Sequence, residues 1–203
     1  MFMPAYAMLM LCYCCTTNAL FLQPTAHVST LFSVLLICGT LLLTCIIPFS
    51  IILFMIKQGT LRDAYIEDRE ARQTPYIYSV ISTAIWCYYL WRIVHLPAFI
   101  VLMAVGATLA LVAVSIINRW WKISAHLSCM GALIGSVAGW SWQTGIFSIW
   151  LLPLLFFLAL ILMYARLYLK AHTPMQVITG LLLGFSFTFL AALFNQTCAC
   201  QYS

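Results

Sequence analysis

The sequence predicts an all-helical bundle of about seven spans crossing a membrane. Two observations carry that class. Hydrophobic residues make up 65% of the chain and charged residues only 6%, with a mean hydropathy of +1.06, whereas a soluble domain carries about 25% charge. The apolar residues also come in runs about twenty long, the length a helix needs to cross a bilayer, separated by short polar breaks. At 203 residues the spans form one integral membrane domain, 1–203.

The elements follow in order. Met1 to Phe21 is apolar without a basic leader, which fits a short first span better than a signal peptide. Gln23, Pro24, Thr25 and His27 make a turn. Thr30 to Ile56 is uncharged and long enough to cross, with Pro48 expected to kink it. Lys57 to Pro75 holds all four acids (Asp63, Glu67, Asp68, Glu70) beside Lys57, Arg62, Arg69 and Arg72, and should lie in water or along the interface. Thr74-Pro75 opens a third span to about Val94, whose far end carries the belt residues Tyr88, Tyr89, Trp91 and Arg92. Pro97 opens a fourth, to about Asn118. After Arg119-Trp120-Trp121-Lys122 a fifth runs to about Trp142. A sixth runs from Ile146 to Lys170 and a seventh from Pro174 to about Asn195.

Parity then fixes a side. The segments 57–75, 119–126 and 166–173 are each separated by two spans, so all three face the same side of the membrane. Eight of the nine Lys and Arg lie there, and Arg92 alone lies opposite. The net charge of +5 is thus placed beside hydrophobic spans. This points to the membrane interface or a bound anionic group, not to nucleic acid.

The richest of these breaks is Ala165 to Gly184. Arg166 and Lys170 are four apart, the spacing of one helix face. His172 follows. Thr173, Pro174 and Gln176 read as N-cap, first helical residue and the third residue of a capping box. Two cations and an imidazole beside a helix N-terminus favour an anion. Ser124 and His126 stand at another helix start. Small-residue ladders follow both histidines: Gly131, Gly135 and Gly139 after His126, and Gly180 and Gly184 after His172. Such ladders let membrane helices approach closely, so the fifth and seventh spans should touch and bring His126 near His172.

Two histidines can serve phosphoryl transfer without a metal, one as nucleophile and one as acid and base, when cations neutralise the phosphoryl oxygens. The cysteines add no metal site. Cys38, Cys45, Cys87 and Cys129 fall in apolar runs as small hydrophobes, and the terminal C-x-C pairs lack zinc spacing. No cofactor is expected. His27 and His95 read as interfacial or turn residues, and Trp120-Trp121 as interface anchors.

These residues resemble a family. Arg166 through His172 to Gln176 has the R-x5-H-x3 frame of the third motif of the type 2 phosphatidic acid phosphatase superfamily, in which an aspartate stands at the Gln176 position. Ser124-Ala125-His126 is similar to its second motif, and Arg72-Gln73-Thr74-Pro75 is a looser likeness of its first. The motif core so defined is 57–184. The resemblance implies a six-helix phosphatase core and a bacterial-type membrane member. It implies His172 as the nucleophile that forms a phosphohistidine and His126 as the acid that protonates the leaving group and then activates water. Gln176 would orient His172, while Arg166, Arg72 and Ser124 would hold the phosphoryl oxygens. Lys122 joins them by its position beside the second motif. The substrate so implied is a lipid phosphate at the membrane edge, either phosphatidate-like or a polyprenyl diphosphate, with the bilayer as the other partner. The neutral Gln176 keeps a second class open: a catalytically impaired lipid-phosphate-binding or structural protein on the same scaffold.

Overall fold

A computed structural model describes residues 30–59, 73–96, 98–145 and 149–199, and all regular structure among them is helical. Six helices are present there. The first, α1, runs without a break through Thr30–Leu41, a π-helical turn at Leu42–Ile46, and Ile47–Lys57. The others are α2 (Gln73–Arg92), α3 (Ala98–Ile117), α4 (Ala125–Thr144), α5 (Leu151–Tyr168) and α6 (Pro174–Ala199). They correspond to the second through seventh expected spans; the first, Met1 to Phe21, lies outside the described residues, as do His27, Pro97 and the four acids.

Four stretches are long and apolar enough to cross a membrane on their own: Leu35–Lys57, Ala98–Ile117, Leu151–Tyr168 and Pro174–Phe194. The remaining two, α2 and α4, are each 20 residues long and less apolar, α4 carrying Ser, Gly, Gln and Thr and α2 carrying Ser, Thr, Gln and Tyr. That composition suits them to helix contacts. In lipid there is little hydrophobic force between helices, so small residues and interhelical hydrogen bonds do the packing.

The bundle is built around α4 and α6, which are in the most extensive contact of any helix pair. Every residue from Gly131 to Val137 is buried. A Cβ built on Gly131 would lie 1.9 Å from the Leu181 carbonyl oxygen, and one on Gly184 would lie 1.8 Å from that of Ser128. Only a hydrogen fits, so the glycines set how near the two backbones come. Gly135 and Gly139 meet Phe185, Thr188 and Ala192 in the same way, and Gly180 meets the Ser124 carbonyl. The expected contact of the two glycine-bearing spans is therefore present. The Thr188 hydroxyl donates across the interface to the Ala132 carbonyl at 2.9 Å.

Around this pair, α3 packs on α6 and α4, and α2 on α3. Gly106 of α3 does for α6 what the ladders do between α4 and α6: its Cβ would meet Ala191 and the Phe187 carbonyl. The polar residues of α2 hold α1. Trp86 donates its indole N–H to Thr40 at 3.1 Å, Tyr89 donates to the Leu35 carbonyl at 2.6 Å, and Ser82 donates to the carbonyl of Leu43. Helix α5 leans mainly on α4, burying Leu155 and Ala159 and leaving most of its surface to the lipid.

A π turn at Leu42–Ile46 lies just before Pro48, where wider spacing makes room for the ring and the missing N–H. Two boundaries differ from expectation. The sixth span begins at Leu151, five residues after Ile146, because Trp150 ends a turn and starts the helix. Its other end corrects the reading of Arg166 and Lys170 as neighbours on one helix face. The helix stops at Tyr168, and Lys170 sits at φ 51, the left-handed region. The amide of Lys170 bonds to the Leu167 carbonyl and that of Ala171 to the Arg166 carbonyl, at 2.9 and 3.1 Å. This is a Schellman ending with Lys170 where glycine is usual.

Candidate phosphate site at the helix ends

Three breaks meet at one end of the bundle, as parity required. Gln73, the first residue of α2, donates its side-chain amide to Ser115 near the end of α3 at 3.4 Å. The turn after α3 is joined to the start of α6 twice. The Ser124 amide donates to the Gln176 carbonyl at 3.3 Å, and Nδ1 of His172 lies 3.3 Å from the Lys122 carbonyl. Segments some fifty residues apart are thus stitched backbone to backbone and backbone to ring.

His172 is the best-defined member. The Schellman turn carries the chain from Arg166 back toward the bundle, and His172 is 9% exposed. Its Nδ1 is also 3.3 Å from Oε1 of Gln176. The same Oε1 accepts the Thr173 amide at 3.1 Å. Gln176 is therefore the third residue of a capping box, satisfying an N–H at the start of α6, and the same Oε1 faces the imidazole. A capping hydrogen bond holds it by its side chain and the Ser124 amide holds it by its carbonyl.

Ser124 precedes α4 in extended conformation, with φ −86 and ψ 102, and its side chain makes no capping bond. The residue is fully buried, and its hydroxyl has no hydrogen-bond partner among the described residues. The first N–H groups of α4 have no partner within the helix, as at any helix start. His126 lies in that first turn, half-buried. Arg166 occupies the last turn of α5, also half-buried, with its Nε atom buried. Lys122 is half-buried and Lys170 exposed. Arg72 lies outside the described residues.

The structure thus gathers His172, Gln176, Lys122 and Ser124 into one contact network, with Arg166 a single turn before His172 and His126 one residue beyond the α4 start. What sequence reasoning missed was the Lys122 main chain. Lys122 drew notice for its side-chain charge, whereas the contact it makes with His172 comes from its carbonyl, which no residue type announces. Among the described residues no group of three or more His, Cys, Asp or Glu side chains gathers as for a metal ion. His95 is exposed in a left-handed turn, at φ 55, while Trp120 is 72% exposed and Trp121 half-buried.

Fold and composition together define an integral membrane protein of the helical-bundle class, with a histidine-centred polar site where its helix ends converge. Residues 104–199 match the family model of the PAP2 superfamily, which supports membership of that superfamily. The matched segment runs from α3 through α6 and takes in every candidate residue except Arg72. Membership supports phosphatase-type activity on phosphate esters. No curated protein and no solved structure matches the chain.

Proposed function

We propose that the protein hydrolyses a phosphate monoester or diphosphate carried by a lipid, through a phosphohistidine on His172. The observation that carries this reading is the buried setting of His172, whose Nδ1 faces two oxygens, Oε1 of Gln176 and the Lys122 carbonyl, at 3.3 Å each. A ring held by Nδ1 offers its other nitrogen to a reacting atom.

In the first half-reaction the Nε2 lone pair of His172 attacks phosphorus, the bond from phosphorus to the leaving oxygen breaks, and protonated His126 gives its proton to that oxygen. In the second, neutral His126 takes a proton from water as the water attacks phosphorus. The nitrogen–phosphorus bond breaks, its electron pair returns to His172, and inorganic phosphate leaves with His126 protonated again. Charge on the phosphoryl oxygens is offset by Arg166 and Lys122, with Arg72 the third cation by motif, and by the α4 N-terminus. The buried Ser124 hydroxyl fits a donor to one of those oxygens, since a buried hydroxyl without a partner costs about 1–3 kcal/mol.

The site's position at the helix ends suits a substrate whose headgroup sits at the membrane edge and whose chain stays in the bilayer, so phosphatidate-like lipids and polyprenyl diphosphates are the substrates of choice. The test is phosphate release by purified protein in detergent, wild type against His172→Ala, across both lipid types. Release by wild type alone is expected. Equal release by both, or by neither on any lipid, removes the reading. The neutral Gln176 favours one other reading, a protein that binds lipid phosphate without turnover; retention of a lipid phosphate by wild type with no release of phosphate would select it.

A further inference from the structure

The hydrolase reading needs the lone pair of neutral His172 on Nε2, and therefore its proton on Nδ1. In the superfamily's third motif an aspartate stands where this chain has Gln176, and Gln176 brings no charge. The geometry identifies what does the work instead. Two oxygens that can only accept face Nδ1: the Lys122 carbonyl and Oε1 of Gln176, each at 3.3 Å. The Gln176 amide is not free to turn its nitrogen toward the ring, because the Thr173 N–H donates to the same Oε1 at 3.1 Å. A proton on Nδ1 meets acceptors. A lone pair there would face two oxygen lone pairs in a site only 9% exposed, where water screens little.

Of the two oxygens, that of Gln176 is shared with a backbone amide, and that of Lys122 is fixed by the fold. Ile123 is fully buried and its amide donates to the Trp121 carbonyl at 2.8 Å, while the Ser124 amide donates to Gln176. The peptide between Lys122 and Ile123 is therefore pinned on both sides. We propose that the main-chain carbonyl of Lys122 is a positioning group that, with Gln176, holds the proton on Nδ1 of His172 and leaves Nε2 as the nucleophilic nitrogen. The proposal deepens the hydrolase reading, whose catalytic outcome rests on it, but the tautomer is a property of the resting protein. On this reading the second acceptor belongs to the backbone and survives any side-chain change at position 176.

The test reads the ring directly. Full-length protein labelled with 15N-histidine, in detergent at about pH 9, where an ordinary histidine is neutral, gives two-bond proton–nitrogen spectra. The His172 signals are those lost in His172→Gln. Wild type, Lys122→Ala and Gln176→Met are all expected to show a protonated Nδ1 and an unprotonated Nε2. A wild-type ring protonated on Nε2 overturns the clamp. A ring that changes tautomer in Gln176→Met, or in Gln176→Leu should the first variant not fold, assigns the proton to Gln176 alone and overturns the part given to Lys122. Retained Nδ1 protonation in a protein that releases no phosphate supports the clamp and counts only against the hydrolase reading.

Discussion

Gly184 of α6 and Ser128 of α4 are in backbone contact: a Cβ on Gly184 would come within 1.8 Å of the Ser128 carbonyl oxygen and 2.8 Å of the Ala132 amide nitrogen. The obstructing atoms belong to a helix backbone, which has no rotamer to change. The two helices must separate to admit even a methyl group. Since Ser124 and His126 start one of them and His172 and Gln176 lie at the start of the other, the glycines that set this spacing also set the site.

Gly184→Ala should accordingly cost stability out of proportion to its size. Overpacking typically costs about 1–3 kcal/mol, and a clash with rigid backbone belongs at the upper end. Gly145→Ala is the control. Its Cβ would meet nothing within 4 Å, but its φ is +69, so the cost is the left-handed strain of about 1–2 kcal/mol. Thermal unfolding in detergent should rank Gly184→Ala below Gly145→Ala, and only the former should also weaken phosphate release.

Lys170 offers the opposite change. It holds the left-handed position of the Schellman turn at φ 51 and is exposed. Lys170→Gly should remove that strain and raise stability by about 1 kcal/mol, with the turn before His172 unchanged. Unfolding midpoints check the gain. A loss of activity in the more stable variant would give the Lys170 charge a role in binding phosphate.

At Gln176 a charge can be added without changing length. Gln176→Glu should keep the bond from the Thr173 amide and place a carboxylate beside Nδ1 of His172. The carboxylate favours the imidazolium, which is not nucleophilic, against the opposing pull of Lys122 and Arg166. The acid limb of the pH profile of kcat/KM should move to higher pH, with a faster rate on the plateau from a more basic nucleophile. A profile unmoved by the substitution would separate Gln176 from the reacting ring and leave it only its capping role.

Lys122 carries two separable functions. Lys122→Ala removes the side-chain cation and keeps the carbonyl. Weaker substrate binding is expected, read as a rise in KM of several-fold, with little change in the His172 ring. A fall in kcat with unchanged KM would mean that the charge acts in the transition state alone.

Thr188→Val tests the α4–α6 seam away from the site. The hydroxyl bonds to Ala132 at 2.9 Å and to Gly184 at 3.1 Å. Interhelical hydrogen bonds in membranes average about 0.6 kcal/mol, so a small fall in unfolding temperature with intact activity is expected.

Much of this was legible in the sequence because membrane helices are written in composition. Apolar runs between polar breaks gave the helices, parity gave the shared face, and glycines every four residues gave the pair that touches. The departures are local and backbone-driven. The π turn before Pro48 and the Schellman turn at Lys170 depend on which carbonyl an amide finds, and the sequence alone does not name that carbonyl.

The residue types at 122, 124, 126, 166, 172 and 176, and their order, pointed to cations and imidazoles at helix ends on one face of the bundle. Only the tertiary structure decided which oxygen meets which nitrogen. The reason is that a main-chain carbonyl is the same in every residue: that of Lys122 reaches His172 because close packing of α4 on α6 carries it there, and no side-chain chemistry records the meeting.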